Sequence, residues 1–232
     1  MHIYRSQQPL VCPLPQGEQQ TELASLAAAS DLSSGYPAAD TLSRQAAAAV
    51  KQQQYPQALH LLNQLIERQP DRAMYYSNRG LVYLWMGRPS AALIDCDRAV
   101  TLGPDLDQAY NNRALCHAAL GDLAAALDDY EQAVDLNPFN SRARINLGAT
   151  LRQLGALDLA LDCFDEALMF HQLPEFIYAE RGRTYHLRGD WNCAIADYRR
   201  ALTAAQVSDT SPQLVERVKC WAAELLPEQS WA

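Results

Sequence analysis

The chain lacks most of what catalysis, export or membrane insertion would need. It has no CxxC pair: Cys12, Cys96, Cys116, Cys163, Cys193 and Cys220 stand singly along 232 residues. That scatter suits neither a zinc site nor a disulfide framework, so free thiols in a reducing compartment are expected. No apolar run approaches the ~20 residues that span a bilayer, which excludes helical membrane insertion. The first residues, MHIYRSQQPLVCPLPQ, contain no apolar signal core, and Val11 before Cys12 is not the small residue that a lipoprotein site needs. A cytoplasmic protein is expected. Basic residues are in deficit, 19 against 27 acidic, for a formal net charge of −8. A broad phosphate-binding face needs the opposite balance, so nucleic acid is not an expected partner. Glycines are few (10) and no glycine-rich phosphate loop is present. His60, His117 and His186 are scattered, and no His–carboxylate–nucleophile set recurs at a useful spacing. Carboxylate pairs such as Asp128–Asp129 stand where sibling segments carry ordinary surface residues. Neither enzymatic activity nor a cofactor or metal is expected.

What is present is a core and a period. Hydrophobic residues make up 49% and charged residues 20%, enough apolar surface for a packed fold. Gly87, Gly121, Gly155 and Gly189 lie 34 residues apart, with Gln53 in the same place one period earlier. Frames follow at 39–72, 73–106, 107–140, 141–174 and 175–208. The eighth place is always small: Ala46, Gly80, Ala114, Gly148 and Gly182. The twentieth is always alanine: Ala58, Ala92, Ala126, Ala160 and Ala194. Two antiparallel helices approach closely only where side chains are small. Large residues recur between these sites, with Tyr76, Tyr110 and Tyr178 at the fourth place and Cys96, Tyr130, Phe164 and Tyr198 at the twenty-fourth. Pro70, Pro104 and Pro138 close three of the second helices, because proline cannot continue a helix.

This pattern resembles the tetratricopeptide repeat (TPR), a 34-residue helix–turn–helix unit with small, aromatic and proline positions at these offsets. The resemblance covers five consecutive units. It implies an all-α superhelical solenoid of ten paired helices. Gln172 and Gln206 depart from the pattern where proline would stand, and Arg144 replaces an aromatic.

One correlation supports the register independently. Arg79, Arg113 and Arg181 occupy the seventh place in the three units that carry Asp95, Asp129 and Asp197 at the twenty-third. The other units lose both members together, Leu147 with Cys163 and Gln45 with Leu61. A partly buried arginine needs a carboxylate, so these pairs are assigned to packing between helices.

The ends differ from the array. In SPQLVERVKCWAAELLPEQ, Ser211 and Pro212 signal a helix start. Leu214, Val218, Trp221 and Leu225 form an apolar stripe, and Pro227 ends it. A stacked array leaves its last apolar face open, so residues 209–232 are expected to supply a capping helix and tail. Residues 1–38 form a separate segment. Pro9, Pro13, Pro15 and Gly17 favour extended chain, and TELASLAAAS favours a short helix. Either a tail or a segment that docks on the array through Leu10, Val11 and Leu14 fits this composition.

In the family resembled, the first helix of each unit lines a concave groove that holds peptides. The resemblance therefore directs Asn78, Asn112 and Asn146, all at the sixth place, into that groove. An amide both donates and accepts, so such a ladder could hold a peptide backbone without reading its side chains. It is expected to face away from the core. Met74, Leu81, Leu84, Trp85 and Leu115 make an apolar half, and Arg142, Arg152, Arg183 and His186 a basic one. That combination suits a hydrophobic anchor beside acidic groups. The carboxylate clamp of chaperone-binding relatives would fall on Ser77, Asn112, Arg142 and Asn146, where Arg142 alone is charged. The expected function is a non-enzymatic adaptor or assembly factor that binds a protein or peptide segment. The alternatives are a structural subunit or homo-oligomer using the convex face or ends, and an assembly chaperone for a membrane complex.

Overall fold

A computed structural model describes residues 37–208 and 212–225, and every structural statement below concerns those residues. They form eleven helices and no strand. The expected docking or tail of residues 1–36, the start signal at Ser211 and the stop at Pro227 lie outside them. Five helical hairpins follow in order: α1 (Pro37–Lys51) with α2 (Tyr55–Arg68), α3 (Ala73–Trp85) with α4 (Pro89–Leu102), and α5 (Asp107–Leu120) with α6 (Leu123–Leu136). Then come α7 (Ser141–Gln153) with α8 (Leu157–Leu168), α9 (Pro174–Arg188) with α10 (Trp191–Val207), and a single α11 (Pro212–Ala223). Each helix packs on the next in sequence, and first helices also touch first helices, as in α3 with α5 and α7 with α9. This is the stacked all-α solenoid that the 34-residue period implies.

The turns inside the hairpins explain the periodic glycine. Gly87, Gly121, Gly155 and Gly189 take φ values of 71°, 86°, 82° and 91°, the left-handed region that glycine enters without strain. In each case the next residue's N–H bonds back to the helix, as Arg88 N–H does to Tyr83 C=O at 2.9 Å and Asp122 N–H to His117 C=O at 2.9 Å. Gln53 makes the same turn at φ 58° without glycine's freedom. Stops also follow from sequence. α2, α4 and α6 each end two residues before Pro70, Pro104 or Pro138, whereas α10 has Gln206 in that place and runs on to Val207.

Small residues permit the hairpins to close. All five alanines of the twentieth place are fully buried. A Cβ on Gly148 would stand 2.8 Å from the Phe164 ring, and one on Gly182 2.9 Å from Tyr198, so the large residue of the second helix fills the notch of the first. Cys96 plays that part against Gly80, and its buried Sγ lies 3.8 Å from that of Cys116 in the next unit. The five described cysteines are free thiols.

The three arginine–aspartate pairs exist and are bidentate. Arg79 Nε and Nη2 donate to Asp95 at 2.7 and 2.7 Å, Arg113 to Asp129 at 2.8 and 2.7 Å, and Arg181 to Asp197 at 2.7 and 3.0 Å. Each guanidinium also lies over the tyrosine three places earlier, 5.5–5.6 Å from the Tyr76, Tyr110 or Tyr178 centroid. The remaining Nη1 reaches back to the second helix of the preceding unit, to Asn63 at 2.8 Å, Asp97 at 3.3 Å and Asp165. One side chain thus clamps three helices. Where the fourth unit lacks this clamp, Arg144 pairs with Glu166, donates to Pro138 C=O at 3.1 Å and lies over Phe170.

α11 covers the last pair. Leu214, Val218 and Ala222 are buried in one cluster with Phe176, Ile177 and Tyr198. Glu216, Lys219, Cys220 and Ala223 remain exposed on the far face, as a cap requires.

Candidate functional site

The first helices α3, α5 and α7, with the loops that precede α7 and α9, enclose an open cavity of about 520 Å³. Asn78 and Leu81 come from α3, Asp107, Gln108, Asn111 and Asn112 from α5, and Ser141 and Arg142 from α7. Asn137, Phe139, Asn140, Gln172 and Leu173 complete the rim. Carboxamides dominate this lining. The loop before α7 is held by one carboxylate: Asp107 Oδ2 accepts from Asn137 Nδ2 at 3.0 Å and Asn140 Nδ2 at 2.8 Å. Asn140 Oδ1 in turn caps α7 through Ala143 N–H at 3.0 Å. Phe139 projects into solvent, 66% exposed, with its ring edge against Phe170. On the far rim, His171 and Leu173 hold φ values of 54° and 52°. Non-glycine residues there carry strain on the order of 1 kcal/mol each.

Of the twelve residues expected in the groove, the cavity gathers four: Asn78, Asn112, Leu81 and Arg142. The asparagine ladder takes a different form from the one expected. Asn112 Nδ2 donates to Ser77 Oγ at 2.9 Å, Asn111 Nδ2 to Asn112 Oδ1 at 3.2 Å, and Asn146 Nδ2 to Asn111 Oδ1 at 3.2 Å. Asn78 and Asn112 are buried rather than facing away from the core. The amides therefore zip first helix to first helix, because side chains this close to neighbouring backbones must satisfy one another before any ligand arrives. Asn111 is the member that helix-face reasoning missed; its place beside Asn112 in the NNR triplet was the available signal.

The apolar half also shifts. Leu81 and Leu84 are core residues, and Leu115 packs half-buried beside them. Trp85 packs against Tyr55 of the first unit, with ring centroids 6.3 Å apart and planes tilted by 40°, away from the cavity, and its indole N–H is buried and unpartnered. In the basic half, Arg152 and Arg183 are committed within the chain. Arg152 Nη2 pairs with Glu180 at 2.6 Å, and Arg217 from the cap adds a second bond to Glu180 at 3.1 Å. Burial pushes the Glu180 carboxyl up, but Arg152 and then Arg217 outweigh it and hold it below the usual range. Arg183 Nη1 pairs with Glu224 at 2.8 Å, and its guanidinium lies 5.5 Å over Trp221. His186 bonds to Tyr198 Oη at 3.1 Å; burial and then Arg183 pull its pKa down, against Glu224. Arg183 thus fastens the cap to the last unit, Arg152 joins the fourth unit to the fifth, and Arg142 stays at the cavity. His117 sits 3.8 Å from Asp129, a carboxylate already held by Arg113.

No helix among the described residues is long and apolar enough to cross a membrane. Among those residues, no group of three or more His, Cys, Asp or Glu is placed to hold a metal ion.

Stacked hairpins closed on glycine and alanine, with a groove along their first helices, define an α-solenoid of helix–turn–helix units. Two family models described as tetratricopeptide repeat match the sequence, one over residues 43–107 and the other over 108–140. Residues 43–140 of the chain are tetratricopeptide repeats. TTC0263, a thermophilic TPR protein of Thermus thermophilus, shares the fold with a TM-score of 0.68 at 22% identity, over 81% of this chain and 99% of that one. YrrB, a TPR protein with an unusual peptide-binding site, superposes with a TM-score of 0.56 at 20% identity, over 75% and 88%. The Drosophila melanogaster Hsc70-interacting proteins 1 and 2 are 38% identical over 64 residues, 28% of this chain and 17% of each relative's length.

Proposed function

We propose that this protein is a non-enzymatic adaptor or assembly factor of the cytoplasm that holds a segment of a partner protein in its concave groove. The observation that carries this is the carboxamide-lined cavity of about 520 Å³ between α3, α5 and α7. Its volume suits a few residues of extended chain rather than a whole domain. Asn111, Asn112, Asn137 and Asn140 bond within the chain, yet each amide keeps a second hydrogen and a second oxygen lone pair, the joint donor and acceptor that a peptide backbone needs. Leu81, Phe139 and Leu173 supply apolar contact for one side chain, with Arg142 beside them. A peptide with a hydrophobic residue next to an acidic one fits that combination.

The Hsc70-interacting relatives carry a chaperone in their name, but a chaperone tail is not the ligand favoured here. At the clamp places, Ser77, Asn112 and Asn146 belong to the amide zipper, leaving Arg142 as the sole cation. Phosphate, metal and cofactor have no part in this proposal.

The test is site-specific photocrosslinking in the native cell, with the crosslinker at Phe139 on the cavity rim or at Ile94, an exposed residue of a second helix. A partner captured with the crosslinker at Phe139, lost when Arg142→Glu is added to that chain and absent from Ile94, is the expected result. Equal capture from Ile94 moves the function to the convex face and overturns the groove.

A further inference from the structure

An apolar row with no cover runs along the edge where first helices turn into second ones. Met86, Leu120 and Leu154 occupy the fourteenth place of successive units and are 36%, 45% and 50% exposed. In the fifth unit, Leu187 and Trp191 take over this edge at 53% and 63%. The family turn needs only the glycine beside this place, so nothing in the hairpin calls for an apolar side chain here. Together the five expose on the order of 500 Å² of mostly apolar surface, near the upper limit for a monomer and over half of the ~800 Å² per partner that a stable interface buries.

The charges along the row are self-complementary. Two places beyond the apolar residue stand Arg88, Asp122, Ala156 and Asp190. Arg88 lies over Tyr83 and pairs with no carboxylate among the described residues. At the opposite end, Arg188 sits between Asp158 and Asp190, one cation for two carboxylates, leaving one negative charge in excess. Laid antiparallel about a twofold axis between the third and fourth units, the row matches itself. Leu120 meets Leu154 of the other copy, Met86 meets Leu187, and the unpaired Arg88 meets the excess charge at Asp190. Asp122 meets Ala156, and Arg188, which holds the fourteenth place of the fifth unit opposite Met86, is already neutralised by Asp158 and Asp190. An isologous contact needs this palindromic arrangement, and an unrelated ligand does not. We infer that the protein forms a twofold homodimer through its turn edge, with the concave grooves of both copies left open.

The full chain is measured by sedimentation equilibrium and light scattering. The expected mass is twice the 25.8 kDa of one chain at micromolar concentration. Leu120→Glu, at an exposed site, should weaken association about a hundredfold by placing unpaired carboxylates in the apolar row. Arg88→Glu and Asp190→Arg should each weaken it about fivefold, and their combination should restore most of the loss, since the exchanged charges again face each other. Circular dichroism at 222 nm should be unchanged in all four variants. A wild-type chain that stays monomeric at ~100 µM overturns the inference, whatever else binds the edge. So does a charge-exchanged double variant no tighter than its parents, or a Leu120→Glu variant that dimerises as wild type.

Discussion

Replacing Arg113 by methionine removes the centre of a three-helix clamp while keeping most of its aliphatic volume. The carboxylate it leaves behind is largely enclosed: the Asp129 side chain is 8% exposed and both its oxygens accept from Arg113. The bond to Asp97 adds little, because that carboxylate is 57% exposed and 3.3 Å away. Stacking on Tyr110 contributes a further ~0.5–1 kcal/mol. The dominant cost is therefore the uncompensated Asp129 charge, and breaking one side of such a pair costs about 3 kcal/mol. For a chain of this length that lowers the melting temperature by roughly 6–12 °C. Urea unfolding followed at 222 nm measures the free energy, and hydrogen exchange locates the loss in α5 and α6. The diagnostic is Arg113→Met with Asp129→Leu. It should recover most of the stability, since replacing both ions removes the stranded charge. Arg181→Met should cost no more than Arg113→Met although Asp197 is only 1% exposed, because Arg200 Nη1 still donates to Asp197 Oδ1 at 3.0 Å. If Arg113→Met lies within about 1 kcal/mol of wild type, or the double variant is no better than the single one, the clamp is a surface ornament and the reasoning fails.

Two further changes follow from the backbone and the amide zipper. Asn112→Ala should destabilise by about 1–3 kcal/mol in the same urea assay, since it strips Ser77 and Asn111 of partners in a buried setting; an unchanged midpoint would show the zipper to be idle. Gln53→Gly should stabilise the first hairpin by about 1 kcal/mol by relieving a left-handed residue that every sibling turn fills with glycine, and a loss of stability would refute that account.

The array was legible because its constraints are local and repeated. A notch at the eighth place and an alanine at the twentieth recur wherever two helices must touch, and the paired loss of arginine and aspartate exposed a contact without any coordinates. The clamp's third arm was not legible. Its acceptor place holds Asn63, Asp97, Glu131 and Asp165, and no composition rule picks that place from an exposed helix face. The asparagines were assigned to the right helices but to the wrong environment. Helical spacing says which side a residue occupies, not whether a neighbouring helix has already claimed its hydrogen bonds. Arg183 misled for a related reason: its partner, Glu224, lies beyond the last repeat, in the cap. The rim at 169–173 had little signal, since His171 is only mildly favoured at positive φ and Leu173 is not favoured there.

The clamp reaches sixteen residues forward and sixteen back, never beyond the adjoining unit. Inheritance can therefore edit this protein in whole sentences. Excising 141–174 would set Arg181 against the second helix of the third unit, where Glu131 holds the place of Asp165. Glu131 now precedes a unit with Leu147 in the arginine's place, and so has no clamp to answer. A shortened descendant would find the missing contact already spelled, one methylene longer.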